Sequence, residues 1–250
     1  MKVAITFIGT NRYLDYLPKY YENIEKYFLP NSEKTIFAFT DGELNDTPDN
    51  LKVYHQEHLE WPYITLKRFE IINKAREEID KHDWLVFIDA DALVVAPITE
   101  EEFLSRCCGA TVEDNPLFGV HHPCHYLKME PHTKLPGAWD QNPDSEACVT
   151  FDPGDTIDQL NYYQGCFWGG KLPAVTTMID RLEARVKRDL EKGVVALWHD
   201  ESHINKYYYD NWSIVHTFGP SYAYPEVFDE HCNFPPKIVH LAKDNSKYHQ

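Results

Sequence analysis

The clearest pattern in the chain is an apolar run closed by two acids, Trp84-Leu85-Val86-Phe87-Ile88-Asp89-Ala90-Asp91. Consecutive apolar residues of this kind predict a strand buried on both faces of a sheet. Upstream, Val3 to Ile8 predicts a first strand, an amphipathic stretch from about Leu14 to Phe28 a helix, and Thr35 to Asp41 a further strand. Leu66, Phe69, Ile72, Ala75 and Ile79 recur at spacings of three and four, leave Lys67 and Arg68 off that stripe, and predict a helix leading into the acid-tipped strand. The alternation is the βαβ rhythm of a parallel sheet. Between about His121 and Leu160 the chain is rich in Pro, Asp, Asn and His, too long for a simple connection, which points to a functional loop. A Gly-punctuated aromatic stretch, a helix from about Pro173 to Lys192, a polar helix start near His199 and an aromatic, Pro-containing tail follow.

Ligands of open α/β sheets collect outside the carboxyl ends of the strands, where Asp89 and Asp91 fall. Paired hard oxygen ligands there suit Mn²⁺ or Mg²⁺ shared with substrate phosphates; a solvated turn after a core strand is the plainer reading of the same residues. A chain of 250 residues with 43% hydrophobic content can bury a substantial core. Its net charge of −16 argues against sequence-independent nucleic-acid binding, so a phosphate-bearing ligand needs a cation or a few placed Lys and Arg. No apolar stretch approaches the roughly 20 residues that span a bilayer, and the start is too short for a signal peptide. The expectation is a cytoplasmic protein with no transmembrane segment. The six cysteines show no CxxC spacing and are expected as thiols. His121, His122, Cys124 and His125 resemble half of a zinc cluster without a matching second pair.

Tyr162-Tyr163-Gln164-Gly165-Cys166-Phe167-Trp168-Gly169-Gly170 and Trp198-His199-Asp200-Glu201-Ser202-His203-Ile204-Asn205-Lys206-Tyr207 closely resemble signature segments of family 6 glycosyltransferases, the family of the blood-group A and B transferases and the α1,3-galactosyltransferases. Weaker similarity runs through Gly9 to Tyr13, Trp61 to Arg68 and His122 to Tyr126. The resemblance implies a GT-A fold. Its Rossmann-like nucleotide-binding half would cover about residues 1–120 and its acceptor-binding and catalytic half about 121–250. It implies transfer of galactose or N-acetylgalactosamine from a UDP-sugar to an oligosaccharide or glycolipid acceptor in α1,3 linkage, with retention at the anomeric carbon.

By the same resemblance, Asp89 and Asp91 hold the metal, Arg68 lies near the nucleotide and the first acid, and Ile8, Thr10 and Tyr13 contact uridine. Lys243 closes over the diphosphate, with Lys247 as the alternative. Glu201 is the carboxylate opposite the leaving group, as nucleophile or as stabiliser of an oxocarbenium-like state. Asp200 would hold sugar hydroxyls. Gln164, Gly165 and Cys166 are implied to select the donor sugar, and Cys166, larger than the Gly or Ala usual there, favours galactose. His122 and Trp198 would meet the acceptor. The acid that contacts acceptor in mammalian members aligns with Pro225, which leaves Glu226 beside it as the candidate.

Two other classes share features with the chain. His199 and His203 lie four apart beside an acid, as in a zinc hydrolase helix, but Glu201 is turned about 200° around the helix from His199 rather than following it directly. A non-catalytic sugar-binding module is the other. An ordinary capped helix start, with Asp200 or Ser202 satisfying free amides, accounts for the His199 segment without function.

Overall fold

The computed structural model describes residues 1–107, 115–122, 138–156 and 158–243. In chain order, β1 (Lys2–Ile8) is followed by a 3₁₀ turn at Asn11–Tyr16 and α1 (Leu17–Tyr27). Then come β2 (Glu33–Thr40), β3 (Leu51–His55) and the short helices α2 (Tyr63–Leu66), α3 (Arg68–Asn73) and α4 (Arg76–Ile79). β4 (Trp84–Ile88), β5 (Ala92–Val94), α5 (Glu100–Cys107), β6 (Leu117–His121) and β7 (Tyr163–Lys171) form the middle of the chain. α6 (Ala174–Glu191), α7 (His199–Asp210), β8 (Val215–Phe218), β9 (Tyr224–Pro225) and β10 (Ile238–His240) complete it.

Seven strands form one sheet in the order β3-β2-β1-β4-β7-β6-β8. β4 shows why. Trp84, Val86 and Ile88 enter the core under α1 and α5, whereas Leu85 and Phe87 enter the core under α3, α6 and α7. With side chains alternating between faces, only a strand covered on both sides can be apolar throughout. The result is a three-layer α/β/α fold of GT-A type.

The sheet departs from the parallel sheet expected from the sequence. β1, β2, β3 and β4 are parallel, but β7 runs antiparallel to β4 and to β6. The glycines of β7 permit this close pairing, since a Cβ on Gly169 would stand 2.3 Å from the Leu85 carbonyl oxygen. The expected helix over the Leu66–Ile79 stripe is instead three short helices, joined through Lys67 (φ −89°, ψ 10°) and Ala75 (φ −103°, ψ 13°). The physical reason is in the spacing: Leu66, Phe69, Ile72 and Ala75 repeat every three residues. Tight turns at each junction keep such a stripe on one line, whereas a continuous α-helix of 3.6 residues per turn would rotate it away. All five stripe residues are buried.

Three parallel strands end at one edge. Gly9 and Thr10 follow β1, Asp41 follows β2 and Asp89 follows β4, and the strand order reverses direction between β1 and β4. That reversal is the switch point where α/β sheets bind ligands. A second, three-stranded sheet, β5-β10-β9, carries the chain end back to this edge: His240 pairs with Ala92, and the Leu241 amide donates to the Asp91 carbonyl at 2.9 Å.

Gly169→Ala should destabilise the protein by about 1–3 kcal/mol, because the added methyl meets backbone rather than a movable side chain. Urea denaturation of variant and parent checks this; equal midpoints would mean that the β4–β7 pairing has slack.

Candidate active site

Two adjoining cavities open at the switch point. The first, about 340 Å³, is lined by Ile8, Thr10, Tyr13, Arg68, Asp89, Asp91, His240 and Lys243, with Trp61 and His58 on its outer wall. The second, about 220 Å³, is lined by Gln164, Gly165, Cys166, Trp198, Asp200 and Glu201, and shares Arg68, Asp89 and His240 with the first. The sequence-expected residues therefore converge, with two exceptions. His122 lines neither cavity, its amide donating to the Tyr162 carbonyl at 3.1 Å. Glu226 accepts from the Ala242 amide at 2.6 Å, next to Lys243, and lines neither cavity. Cys124, His125 and Lys247 lie outside the described residues.

The shared wall is built on Arg68, whose side chain is 7% exposed. Its Nη1 donates to the Gly165 carbonyl at 2.9 Å, its Nη2 stands 3.5 Å from Asp89 Oδ1, and its Nε stands 3.1 Å from Asp200 Oδ2. The guanidinium lies over the Phe87 ring at 4.4 Å, adding a cation–π contact. One cation thus touches the strand-end acid, the helix acid and the β7 backbone.

Asp91 is held by two side chains from the tail. His240 Nε2 lies 3.2 Å from its Oδ1, and Lys243 Nζ contacts its Oδ2. Burial alone would raise the Asp91 pKa, but His240 and Lys243 outweigh it and keep the carboxyl well below the usual range. Asp89, desolvated and facing Asp91, is raised despite Arg68. Asp89, Asp91 and His240 place one donor atom each within 4.8 Å of one another, the group of metal-ligand character found among the described residues. An octahedral ion with ligands at ~2.1 Å sets its donors about 3–4.2 Å apart, so this oxygen-rich set with one imidazole fits a divalent ion after small side-chain movement. The sequence had given no signal for His240, whose approach depends on β10 pairing with β5.

α7 supplies the other pair of acids. His199 opens the helix with φ +53°, a left-handed conformation uncommon for a residue with a side chain. Its ring packs edge-on against Trp61, with centroids 4.6 Å apart. The Ser202 hydroxyl accepts from the Trp198 amide at 2.8 Å and closes the helix start, so Asp200 is left to face Arg68. Glu201 Oε1 accepts from the Tyr162 hydroxyl at 2.9 Å and Oε2 from the Gly165 amide at 2.8 Å. Burial pushes Glu201 up to about 7 against these two donors, and pushes Asp200 up to about 6 against Arg68. His199 and His203 do not converge on a metal: His203 is fully buried, 3.7 Å from Asp189 of α6, whereas the His199 ring packs on Trp61.

Both raised carboxyls make stability depend on pH. A folded-state pKa above the unfolded value means that the folded protein takes up extra protons as pH falls, so the desolvation cost is full above about 7 and is relieved towards pH 4.5. Stability against urea should therefore rise on lowering pH from 8 to about 5, by on the order of 1–3 kcal/mol. Glu201→Gln should flatten the upper part of that rise; an unchanged slope in the variant would show that Glu201 ionises freely.

A family-wide sequence profile, Glycosyltransferase family 6, matches residues 1–249. The chain is 27% identical over 251 residues to the O-antigen biosynthesis glycosyltransferase WbnI of Escherichia coli, covering 100% of this chain and 98% of that protein. It is 28% identical over 216 residues to the histo-blood group ABO system transferase 2 of Rattus norvegicus, and 23% identical over 220 residues to the globoside alpha-1,3-N-acetylgalactosaminyltransferase 1 of Homo sapiens. These alignments cover 82% and 84% of this chain but 58% of each mammalian protein. Among the described residues no helix is long and apolar enough to cross a membrane. With its full length matched and its signature segments gathered at one sheet edge, the chain belongs to glycosyltransferase family 6, and it is a glycosyltransferase.

Proposed function

We propose that the protein transfers galactose, in preference to N-acetylgalactosamine, from its UDP-sugar to an oligosaccharide or glycolipid hydroxyl in α1,3 linkage with retention, in the cytoplasm. The observation that carries this reading is the Arg68 bridge between a strand-end acid of the Asp-x-Asp pair and the acid beside Glu201. It sets a cation-rich cavity suited to a diphosphate next to an acid-lined one suited to a sugar.

In this reading residues of about 1–120 bind nucleotide and those of about 121–250 bind acceptor and carry the chemistry. Ile8, Thr10 and Tyr13 hold uridine in the first cavity. Lys243 and Arg68 face the diphosphate. Asp89, Asp91 and His240 would hold Mn²⁺ or Mg²⁺. Such an ion, once bound, stabilises the negative charge on the departing diphosphate as a Lewis acid. Asp200 accepts from sugar hydroxyls, and Glu201 faces the anomeric carbon. The C1–O bond to the β-phosphate breaks with its electron pair leaving on UDP, C1 bonds to the acceptor oxygen, and the acceptor proton passes to the departing phosphate oxygen. Glu201 acts on the opposite face, as nucleophile or as stabiliser of the cationic sugar. Trp198, half exposed at the cavity mouth, offers its ring to the acceptor, with His122 and Glu226 as outlying contacts. A zinc hydrolase gains nothing from the separated histidines, and a sugar-binding module gives no account of the diphosphate-suited cavity.

Product analysis tests this directly: with UDP-galactose and a glycan panel, the new linkage should be α by proton NMR, and excess EDTA should abolish turnover. Glu201→Gln should lower turnover on the order of 10²-fold or more while calorimetry shows UDP affinity nearly unchanged. Undiminished turnover in EDTA would remove the metal, and lost UDP binding in the Gln variant would misplace Glu201.

Donor choice rests on Gln164, Gly165 and Cys166. A Cβ at Gly165 would stand 3.4 Å from Asp200 Oδ2 and 3.6 Å from Glu201 Oε2, so this backbone forms the cavity floor under the acids. Cys166 is 2% exposed beside it. Cys166→Gly should raise kcat/KM for UDP-N-acetylgalactosamine relative to UDP-galactose, since a pocket-size difference of this order is worth about 1–3 kcal/mol. A parent that prefers the N-acetyl donor, or a variant with unaltered preference, would overturn the selector.

A further inference from the structure

We propose that Tyr162 is a positioning residue for Glu201: its phenol, locked in a small aromatic cluster, holds that carboxylate in one orientation towards the sugar cavity. This rests on the glycosyl-transfer reading above for its consequence, but not for its geometry. The Tyr162 hydroxyl donates to Oε1 of Glu201 at 2.9 Å while the Gly165 amide donates to Oε2 at 2.8 Å. Donors on both oxygens fix the plane of the group, which one donor alone would leave free to turn about its last torsion.

The ring is held independently of that contact. Tyr162 is 1% exposed and packs with Ala138, Trp139, Val149 and Tyr209 in a cluster separate from the two main cores. Its ring meets Trp139 edge-on, with centroids 5.2 Å apart at 83°. The backbone beneath is held as well: Asn205 accepts from the Tyr163 amide at 2.8 Å and donates to the Tyr163 carbonyl at 2.8 Å and to the Glu201 carbonyl at 2.9 Å. α7 and the start of β7 therefore keep their register without the phenol.

The charges around the pair set the sign. Burial, and to a lesser extent Asp200 on α7, disfavour ionised Glu201, whereas the Gly165 amide, the Tyr162 hydroxyl and Arg68 on α3 favour it. Cys166 on β7 faces the same carboxylate as a buried neutral thiol, its pKa raised by burial. The His122 ring lies 6.1 Å from that of Tyr162, and the Asp140 charge also acts on the phenol. Deleting the phenol hydroxyl removes a donor to the charged form, so Glu201 should titrate at higher pH.

Tyr162→Phe tests the proposal with two independent readouts. In protein labelled with ¹³C at glutamate carboxyls, with Glu201→Gln for assignment, the Glu201 titration should move to higher pH. Turnover should fall roughly ten- to hundredfold, the worth of a hydrogen bond to a charged group, with donor KM and UDP affinity within about twofold and the acid limb of kcat displaced the same way. In a Glu201→Gln background the second substitution should add no loss. An unmoved Glu201 titration, a loss expressed in UDP binding, or an equal loss in the Gln background would overturn the assignment. A parent without UDP-sugar turnover would refute the function, and the NMR titration would still decide Tyr162. Were Tyr162→Phe unable to fold, Trp139→Phe, which loosens the packing and keeps the hydroxyl, should shift Glu201 less and in the same direction, and no shift would again overturn it.

Discussion

A buried guanidinium must be paired, and Arg68 meets that requirement with groups from three separate elements. A charge taken out of water costs several kcal/mol unless opposite charge and hydrogen bonds replace the solvent. Arg68 finds Asp89 after β4, Asp200 on α7 and the Gly165 carbonyl on β7, and rests on Phe87 of β4. The constraint acts in both directions. Asp200 and Asp89 are themselves desolvated, so without Arg68 each would be protonated or would drive its element towards water. Arg68 thus ties Asp200 on α7 to Asp89 and Gly165, which the β4–β7 pairing already holds side by side.

The tail obeys a related constraint through backbone pairing. β10 runs antiparallel to β5, the three-residue strand that follows the two acids, and its register puts His240 opposite Ala92. The Leu241 amide on the Asp91 carbonyl extends that pairing by one residue. His240 and Lys243 are therefore delivered to Asp91 from nearly the far end of the chain with little freedom. Any ligand that engages Asp91 must share or displace these two side chains, so occupancy of the first cavity and seating of the tail are linked.

Legibility in the sequence followed the range of the interactions. β4 and its two acids could be read because a doubly buried strand needs an unbroken apolar run, and α6 because its stripe keeps a 3.6-residue period. The antiparallel insertion of β7 could not be read: its Gly169-Gly170 pair marks close approach, but not which strand approaches. The three-residue stripe from Leu66 to Ala75 held the information that the helix is broken, though a tolerance of three-or-four spacing conceals it. Within the site, Arg68, the Asp-x-Asp pair, Asp200, Glu201 and Lys243 were legible through resemblance of short segments to the family. His240 and Tyr162 were not. His240 gains its place from a strand pairing across about 150 residues, and Tyr162, although it opens a signature segment, gains its role from a hydrogen bond to a helix 39 residues on that no local pattern records.

The two ends of the site have opposite electrostatic character, and the cause lies in what reaches each carboxylate rather than in depth of burial. Asp91 and Glu201 are both desolvated. Asp91 is met by Lys243 and His240 from the tail and is held charged. Glu201 receives only neutral donors, a phenol and an amide, and its nearest charges are Asp200, of like sign, and Arg68, already shared with two other partners. It is left near the midpoint of its titration at neutral pH. A carboxylate in that state gains more from a positive charge appearing beside it than one already paired, because no resident cation must be displaced. The β7 backbone at Gly165, hydrogen-bonded to Arg68 through its carbonyl and to Glu201 through its amide, keeps the two ends in register.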